Sequence, residues 1–438
     1  MNSHDEECHQ AIEEKAISLT QPRDLKPLIE QLSKARIVML GEATHGTHEF
    51  YEWRRMISEW LITKQGFNFI AVEGDWPPCW ELNRFVMNES STQKTSRETL
   101  VNYHRWPTWM WSNAETVRLA DWMRTHNKTV APEKRAGFFG LDVYSLFESI
   151  EVVLKQLQKV NPILARRARV KYACFDPFQG DEKDFAKSLI KFPEGCEQAA
   201  LETLQDLLRL NATLREPLFN VEQNARIIVN AENYYRTMMH GEEDSWNVRD
   251  RHMIETLQSL LENAGPQSKG IVWAHNTHVG DYRATNMVTQ GLINLGGLAR
   301  EIWGDDQVAL VGFGTYEGNV IASNAWDGPI QSIAIPAGKT GSYEAIFHEV
   351  AMSVGQPSFY IPRLNDPDIR TGVLSEVRGH RAIGVVYQPE YEHFGNYVPT
   401  RLSKRYDAFI HIDRTTPLNF LSQSFDLREI PETWPHGQ

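Results

Sequence analysis

Arg36-Ile-Val-Met-Leu-Gly-Glu-Ala-Thr-His-Gly-Thr-His-Glu-Phe50 is the stretch that decides the fold. Ile37 to Leu40 is a short apolar run closed by Gly41, the pattern of a buried parallel strand. From His48 to Gln65 the apolar period becomes helical, with Phe50, Met56, Ile57, Trp60 and Leu61 able to share a face. Gly41 to Thr47 is therefore a strand-to-helix turn. In open α/β sheets such turns line the ligand crevice. This one carries Glu42, His45 and His48, and an acid three residues from an imidazole suits proton transfer or metal binding. An isolated Glu-x-x-His is more often solvated surface, and Thr44 or Thr47 can simply N-cap the helix. The functional reading gains weight only if other strand ends supply matching chemistry.

They do. Phe67 to Glu73 reads as a second strand, ending in Glu73-Gly-Asp75 and followed by Trp76-Pro-Pro78, which suits a helix start. Arg135 to Leu141 reads as a third strand ending at Asp142. Lys269 to Ala274 reads as a fourth, running into His275-Asn-Thr-His278. Gln307 to Phe313 is a fifth, preceded by a helix over 287–303. Short strands over 319–323, 358–361, 382–387 and 407–412 follow, joined by loops. Between the third and fourth strands, residues 161–265 show helical pattern almost throughout. We expect one α/β domain over 1–438, with a mostly parallel or mixed sheet flanked by helices. The stretch 161–265 is expected to be an inserted helical lobe that forms a cleft.

Composition narrows the function. The chain has 438 residues, 41% hydrophobic and 23% charged, enough for a large core. A net charge of −12 without a basic block argues against nucleic acid. Four scattered cysteines argue against a disulfide scaffold or a thiolate metal site. No apolar run reaches membrane-spanning length and the N-terminus lacks a signal h-region, so a cytoplasmic protein without membrane partners is expected. No Gly-x-Ser-x-Gly elbow, His-Glu-x-x-His, P-loop or dinucleotide fingerprint is present.

Parallel strands would bring Glu42, His45, Glu73, His275 and His278 to one sheet edge. A histidine there can deprotonate water, a carboxylate can orient it, and Arg54 can supply fixed charge for an oxyanion. Asp75, Trp76, Arg249 and Arg283 flank these groups and are expected to touch substrate.

Gly41-Glu-Ala-Thr-His45-Gly-Thr-His-Glu-Phe50 with Arg54, Val72-Glu73-Gly-Asp75, Phe139-Gly-Leu-Asp142, Arg249-Asp-Arg-His-Met253 and Trp273-Ala-His275-Asn-Thr-His278 together resemble the erythromycin esterase family. The closing Tyr406-Asp-Ala-Phe-Ile-His-Ile-Asp413 resembles its last strand. The resemblance spans about Leu32 to Asn419. It implies an α/β core with a helical lobe, and ester hydrolysis by a water activated at His45, without a covalent serine and without a cofactor. It implies further important positions at Glu42, Arg54, Glu73, His275 and His278. The Trp-rich stretch and Asp281-Tyr-Arg283 look like the uncharacterised branch of the family rather than its macrolide-inactivating enzymes. Two alternatives stand beside this reading: a hydrolase that holds a metal ion through the same Glu/His set, and a ligand-binding protein without activity.

Overall fold

The computed structural model describes residues 3–89, 95–178, 180–215, 218–239, 242–366, 369 and 372–421. Its strands are β1 (Ile17–Ser18), β2 (Ile37–Leu40), β3 (Phe69–Asp75), β4 (Gly137–Asp142), β5 (Gly270–Trp273), β6 (Val308–Ala322), β7 (Gln331–Ile335), β8 (Ser358–Ile361), β9 (Val377–Arg381), β10 (Tyr397–Arg401) and β11 (Ala408–Thr415). Nine of these form one sheet in the order β1-β8-β11-β6-β2-β5-β3-β4, with β7 paired to β6. The strands from β11 to β4 run parallel, while β8 and β7 pair antiparallel at the β11 and β6 side. The fold is a mixed α/β sheet flanked by helices.

Side-chain alternation builds both layers. On β2, Val38 and Leu40 face one core with Ile70, Val72, Ile271, Trp273 and Val311. Ile37 and Met39 face the other with Phe69, Ala71, Val272 and Leu310. A period of two on strands buried on both faces produces the unbroken apolar runs seen in the sequence. The helix His48–Gln65 closes the first layer and ends at Gly66, whose φ of 73° places it in the left-handed region that suits a glycine C-cap.

The chain runs from β2 outward to β3 and β4, returns to insert β5 beside β2, and then crosses to β6 on the other side. The order reverses at β2, so the crevice end of the sheet is the carboxyl end of β2 and β5. A separate helical core runs from Val143 to Met238. The helix Glu242–Ala264 instead buries Met253, Leu257 and Leu260 against the sheet. Within the helical core, Cys174 and Cys196 are joined as a disulfide with Cα atoms 6.0 Å apart. The cysteine spacing alone did not suggest this pair.

Several elements differ from the sequence reading. The runs 307–313 and 319–323 are one strand, β6, because β7 pairs with its second half. No strand covers 382–387; Ile383 and Val386 make isolated bridges, and the regular pair is β9 with β10. The helix expected over 287–303 begins at Leu295, after a short 3-10 turn closed by Gly291. The helix Tyr343–Val354 lies where loops were expected. Its residues 343, 346, 347, 350 and 351 are all buried, a 3.6-residue stripe that was present in the sequence.

Candidate active site

The turn after β2 is held by main-chain bonds that continue the sheet past its last regular rung. Gly41 N–H donates to Val311 O at 2.8 Å, and Asn276 N–H donates to Glu42 O at 2.8 Å. The Asn276 side chain donates to Phe313 O at 2.6 Å. A Cβ on Gly41 would fall 2.1 Å from Asn276 Oδ1, so only glycine admits this cross-tie. Gly46 is still more constrained. A Cβ there would lie 1.9 Å from Ile321 O and 2.7 Å from Ile321 C, both backbone atoms. Gly46 O also accepts from Ile321 and Leu418 N–H, each at 3.0 Å. Gly46→Ala should therefore move the turn that carries His45. Overpacking of this kind costs about 1–3 kcal/mol. A lower denaturant midpoint together with reduced activity is the expected result; an unchanged midpoint would refute the packing argument.

His45 Nδ1 lies 3.0 Å from Glu42 Oε1, and both side chains are buried. A carboxylate only accepts, so in the neutral ring Nδ1 carries the hydrogen and Nε2 is a bare acceptor. That Nε2 is buried without a protein partner. Arg54 Nη2 donates to the other Glu42 oxygen at 2.6 Å. The sequence analysis expects Arg54 to offer its charge to an oxyanion. Arg54 in fact shares the buried stripe with Phe50, Ile57 and Leu61, with its guanidinium carbon 4.4 Å from the Tyr51 ring and 4.7 Å from the Trp273 ring. Arg54 thus stands behind Glu42, and its charge is directed to that carboxylate.

The β5 end supplies the facing half. The His275 ring centroid is 4.8 Å from that of His45. His275 Nδ1 accepts the Thr277 N–H at 3.3 Å and lies 2.8 Å from Thr277 Oγ1. The ring hydrogen therefore sits on Nε2, which is buried with only the Ala43 carbonyl near it, short of a well-formed hydrogen bond. Burial, reinforced by His45, holds the His275 pKa well below its usual value, so the ring is neutral. The His275 main-chain N–H donates to Glu73 Oε2 at 2.8 Å.

Glu73 binds a charged network beneath this pair. Arg249 Nη2 donates to Glu73 Oε1 at 2.7 Å and to Asp142 Oδ2 at 2.7 Å, and Arg249 Nε donates to Asp142 Oδ1 at 2.9 Å. Burial alone would raise the Glu73 pKa; His278 and Arg249 overcome it and hold the carboxyl well below its usual range. His278 Nδ1 lies 3.0 Å from both Asp250 oxygens, and its ring stacks on Trp246 at 4.6 Å. Burial disfavours charge on His278, yet Asp250 and Glu73 push it up to about 9. Arg249 Nη1, 3.0 Å from His278 Nε2, pulls the other way, because it donates only to an unprotonated nitrogen.

The structure thus brings Glu42, His45, Arg54, Glu73, His275, His278 and Arg249 together. Arg249 was expected to touch substrate, but its guanidinium is fully buried and committed to Asp142, Glu73 and His278. Trp76 is packed between Trp80 and Phe139, with its indole N–H on Asn220. It belongs to the core because its ring faces the strand layer. Arg283 lies apart, exposed and paired with Asp281 at 2.7 Å, since the short turn after β5 carries it to the surface. Asp75 is buried against Arg105 and borders a cavity of about 670 Å³. His45, Glu73 and His275 do not line that cavity; each is at most 1% exposed. The expected open cleft is therefore closed over the imidazoles. Trp111 stands at the boundary, lining the cavity while its indole N–H donates to Glu73 O at 2.9 Å. Among the described residues no three His, Cys, Asp or Glu side chains are arranged to hold a metal ion. Nor is any described helix long and apolar enough to cross a membrane.

A family model described as erythromycin esterase matches residues 62–415. The chain belongs to the erythromycin esterase family. That membership places it among hydrolases. It is 24% identical over 427 residues to the Bacillus subtilis (strain 168) protein named "Putative hydrolase YbfO", covering 90% of this chain and 87% of that one. It is 22% identical over 328 residues to erythromycin esterase type II of Escherichia coli, covering 68% and 73%. Among solved structures, a Bacillus cereus protein superposes with a TM-score of 0.80 at 24% identity, over 95% of this chain and 99% of that one. A succinoglycan biosynthesis protein gives 0.77 at 21%, over 96% and 99%. An erythromycin esterase mutant in its open conformation gives 0.65 at 14%, over 94% and 97%. These likenesses show the shared fold.

Some members of the site were not singled out from the sequence. Asp142 ends β4 as Glu73 approaches the end of β3, so the strand-end rule applied to it equally. Asp250 and Trp246 lie one helical turn apart, which pointed to a shared face. Asn276 carried no sequence signal, because its role arises from three strand ends meeting.

Proposed function

We propose that this member of the erythromycin esterase family hydrolyses a carboxylic ester or lactone by direct attack of water. One observation carries the proposal. Two imidazoles with ring centroids 4.8 Å apart each bury an Nε2 that makes no well-formed protein hydrogen bond, His45 Nε2 as an acceptor and His275 Nε2–H as a donor. A water bound to His45 Nε2 gives up its proton there as it attacks the acyl carbon. Glu42 accepts from Nδ1–H and stabilises the imidazolium as it forms. His275 Nε2–H donates to the developing oxyanion or the leaving oxygen. Glu73 fixes the His275 main chain and so aims that donor. No serine nucleophile enters the scheme. A substrate can reach these nitrogens only when the groups covering them move aside.

The metal-dependent reading draws on the same side chains. In this arrangement Glu42 is held by Arg54 and His45, and Glu73 by Arg249 and the His275 amide. The test is a hydrolysis screen over simple esters, lactones and a macrolide, run before and after treatment with a chelator. Activity that survives chelation agrees with the proposal. Activity lost on chelation and restored by a divalent ion would replace it with the metal-dependent mechanism.

Arg54 acts in this scheme as a positioning residue. Arg54→Lys keeps the charge but loses the planar fork and the ring stacking. Misplacing a base by about 1 Å can cost on the order of 10²-fold in rate. We expect kcat to fall by that order with KM little changed. A rise in KM alone would make Arg54 a substrate-binding residue.

A further inference from the structure

Beside the imidazole pair lies the cavity of about 670 Å³, between the helices Trp76–Val86 and Leu146–Val160. Its volume is that of a small-molecule site. Asp75, 3% exposed, is among its lining residues. Arg105 Nε donates to Asp75 Oδ2 at 2.5 Å, whereas Oδ1 is buried with no partner. A buried carboxylate oxygen left without a donor is costly, and such groups are rare in folded proteins. Arg105 also binds Glu182 at 2.6 Å and Glu148 at 3.1 Å. Asp75 therefore shares its guanidinium with two other acids, while Arg84, Lys155 and Lys159 also line the cavity. Trp80 and Trp111 also line it, and aromatic rings beside carboxylates favour organic cations.

We propose that the cavity binds an ammonium group through Asp75 Oδ1, and that this group belongs to the part of the substrate remote from the scissile ester. The second half of that statement rests on the hydrolase reading; the first does not. Trp111 connects the two regions, because it lines the cavity and bonds the Glu73 carbonyl. Burial, with Glu148 and Asp142, pushes the Asp75 pKa up to about 6 despite Arg105. The carboxylate is thus mostly ionised at neutral pH and gains from a cationic partner. Asp75→Asn is informative because Arg105 would keep the amide oxygen for itself. The amide NH₂ would then face the cavity and replace an acceptor by a donor.

The test is a ligand-observed NMR titration of the full chain at pH 7.5 with benzylamine, and with benzyl alcohol as the neutral isostere. Benzylamine should bind with a millimolar Kd, at least about tenfold more tightly than the alcohol. Asp75→Asn should weaken the amine by about tenfold or more. Val152→Trp, which fills the cavity from a partly exposed helix position, should abolish amine binding even if Asp75→Asn fails to fold. His45→Asn should bind benzylamine like the wild type. Equal binding of amine and alcohol, no amine binding at tens of millimolar, or undiminished binding by Val152→Trp would each overturn the proposal. Amine binding by a protein that hydrolyses no ester would leave the cation site standing and remove the hydrolase reading instead.

Discussion

Replacing Arg249 with methionine is expected to destabilise the fold by about 3–5 kcal/mol, the usual cost of removing one partner from a buried ion pair. Arg249 is fully buried and its guanidinium binds Glu73 and Asp142, both buried as well. Methionine fills much of the volume, so the loss reports charge rather than a cavity. The pH dependence should become shallower. In the wild type the Glu73 carboxyl is held well below its usual range by His278 and Arg249 against the opposing effect of burial. A depressed pKa contributes stability that is present above the unfolded value of about 4.3 and lost as pH falls below it. Without Arg249, one of the groups opposing burial is lost, and the Glu73 pKa moves up toward the unfolded value. The variant should then lose less stability than the wild type as pH falls from neutral to about 4. Urea denaturation across that range measures both effects. Equal stability of variant and wild type at neutral pH would show that the network is not the anchor of the site.

The second large effect concerns turnover. His45→Asn should reduce hydrolysis by on the order of 10²–10⁴-fold, the contribution of a positioned general base. Asparagine can still bond Glu42, so the turn and the Arg54 contact should survive and the denaturant midpoint should move little. Turnover retained at the wild-type level would remove His45 from the mechanism. A collapse of stability alongside activity would mean that the imidazole holds the turn together.

How much of this was legible in the sequence can be traced residue by residue. The β2 run and the turn after it were readable because Ile37 to Leu40 is unbroken and Gly41 ends it. The convergence of Glu42, Glu73 and His275 followed from parallel pairing, since β2, β5 and β3 are neighbours in the sheet. The direction of each side chain was not readable. Arg54 was expected to serve an oxyanion, but two aromatic rings hold it against Glu42. Arg249 appeared available to substrate, but Asp142, at the end of a strand 107 residues away in sequence, consumes it. Arg283 appeared close to the site because it follows β5 directly, yet a short turn turns it outward. The helix Tyr343–Val354 was lost for another reason: its aromatic residues suit a strand as well as a helix, and only the spacing separates the two.

The closed state of the imidazoles could not be read from sequence at all, because it depends on which side chains far apart in the chain come to cover them. Trp111 is one of thirteen tryptophans, and nothing local distinguishes it from the rest. Its contact with the Glu73 carbonyl makes it the divider between the reacting pair and the cavity that borders Asp75.

The central claim is that water, activated at His45, attacks an ester without a covalent intermediate. The most direct measurement is mass spectrometry of product and intact protein together, during incubation of the wild-type chain with a panel of esters and lactones. The account predicts a product heavier than its substrate by one water, or the corresponding acid and alcohol, while the protein keeps its unmodified mass throughout. An acyl adduct on the protein during turnover, or no hydrolysis of any ester on the panel, would contradict it.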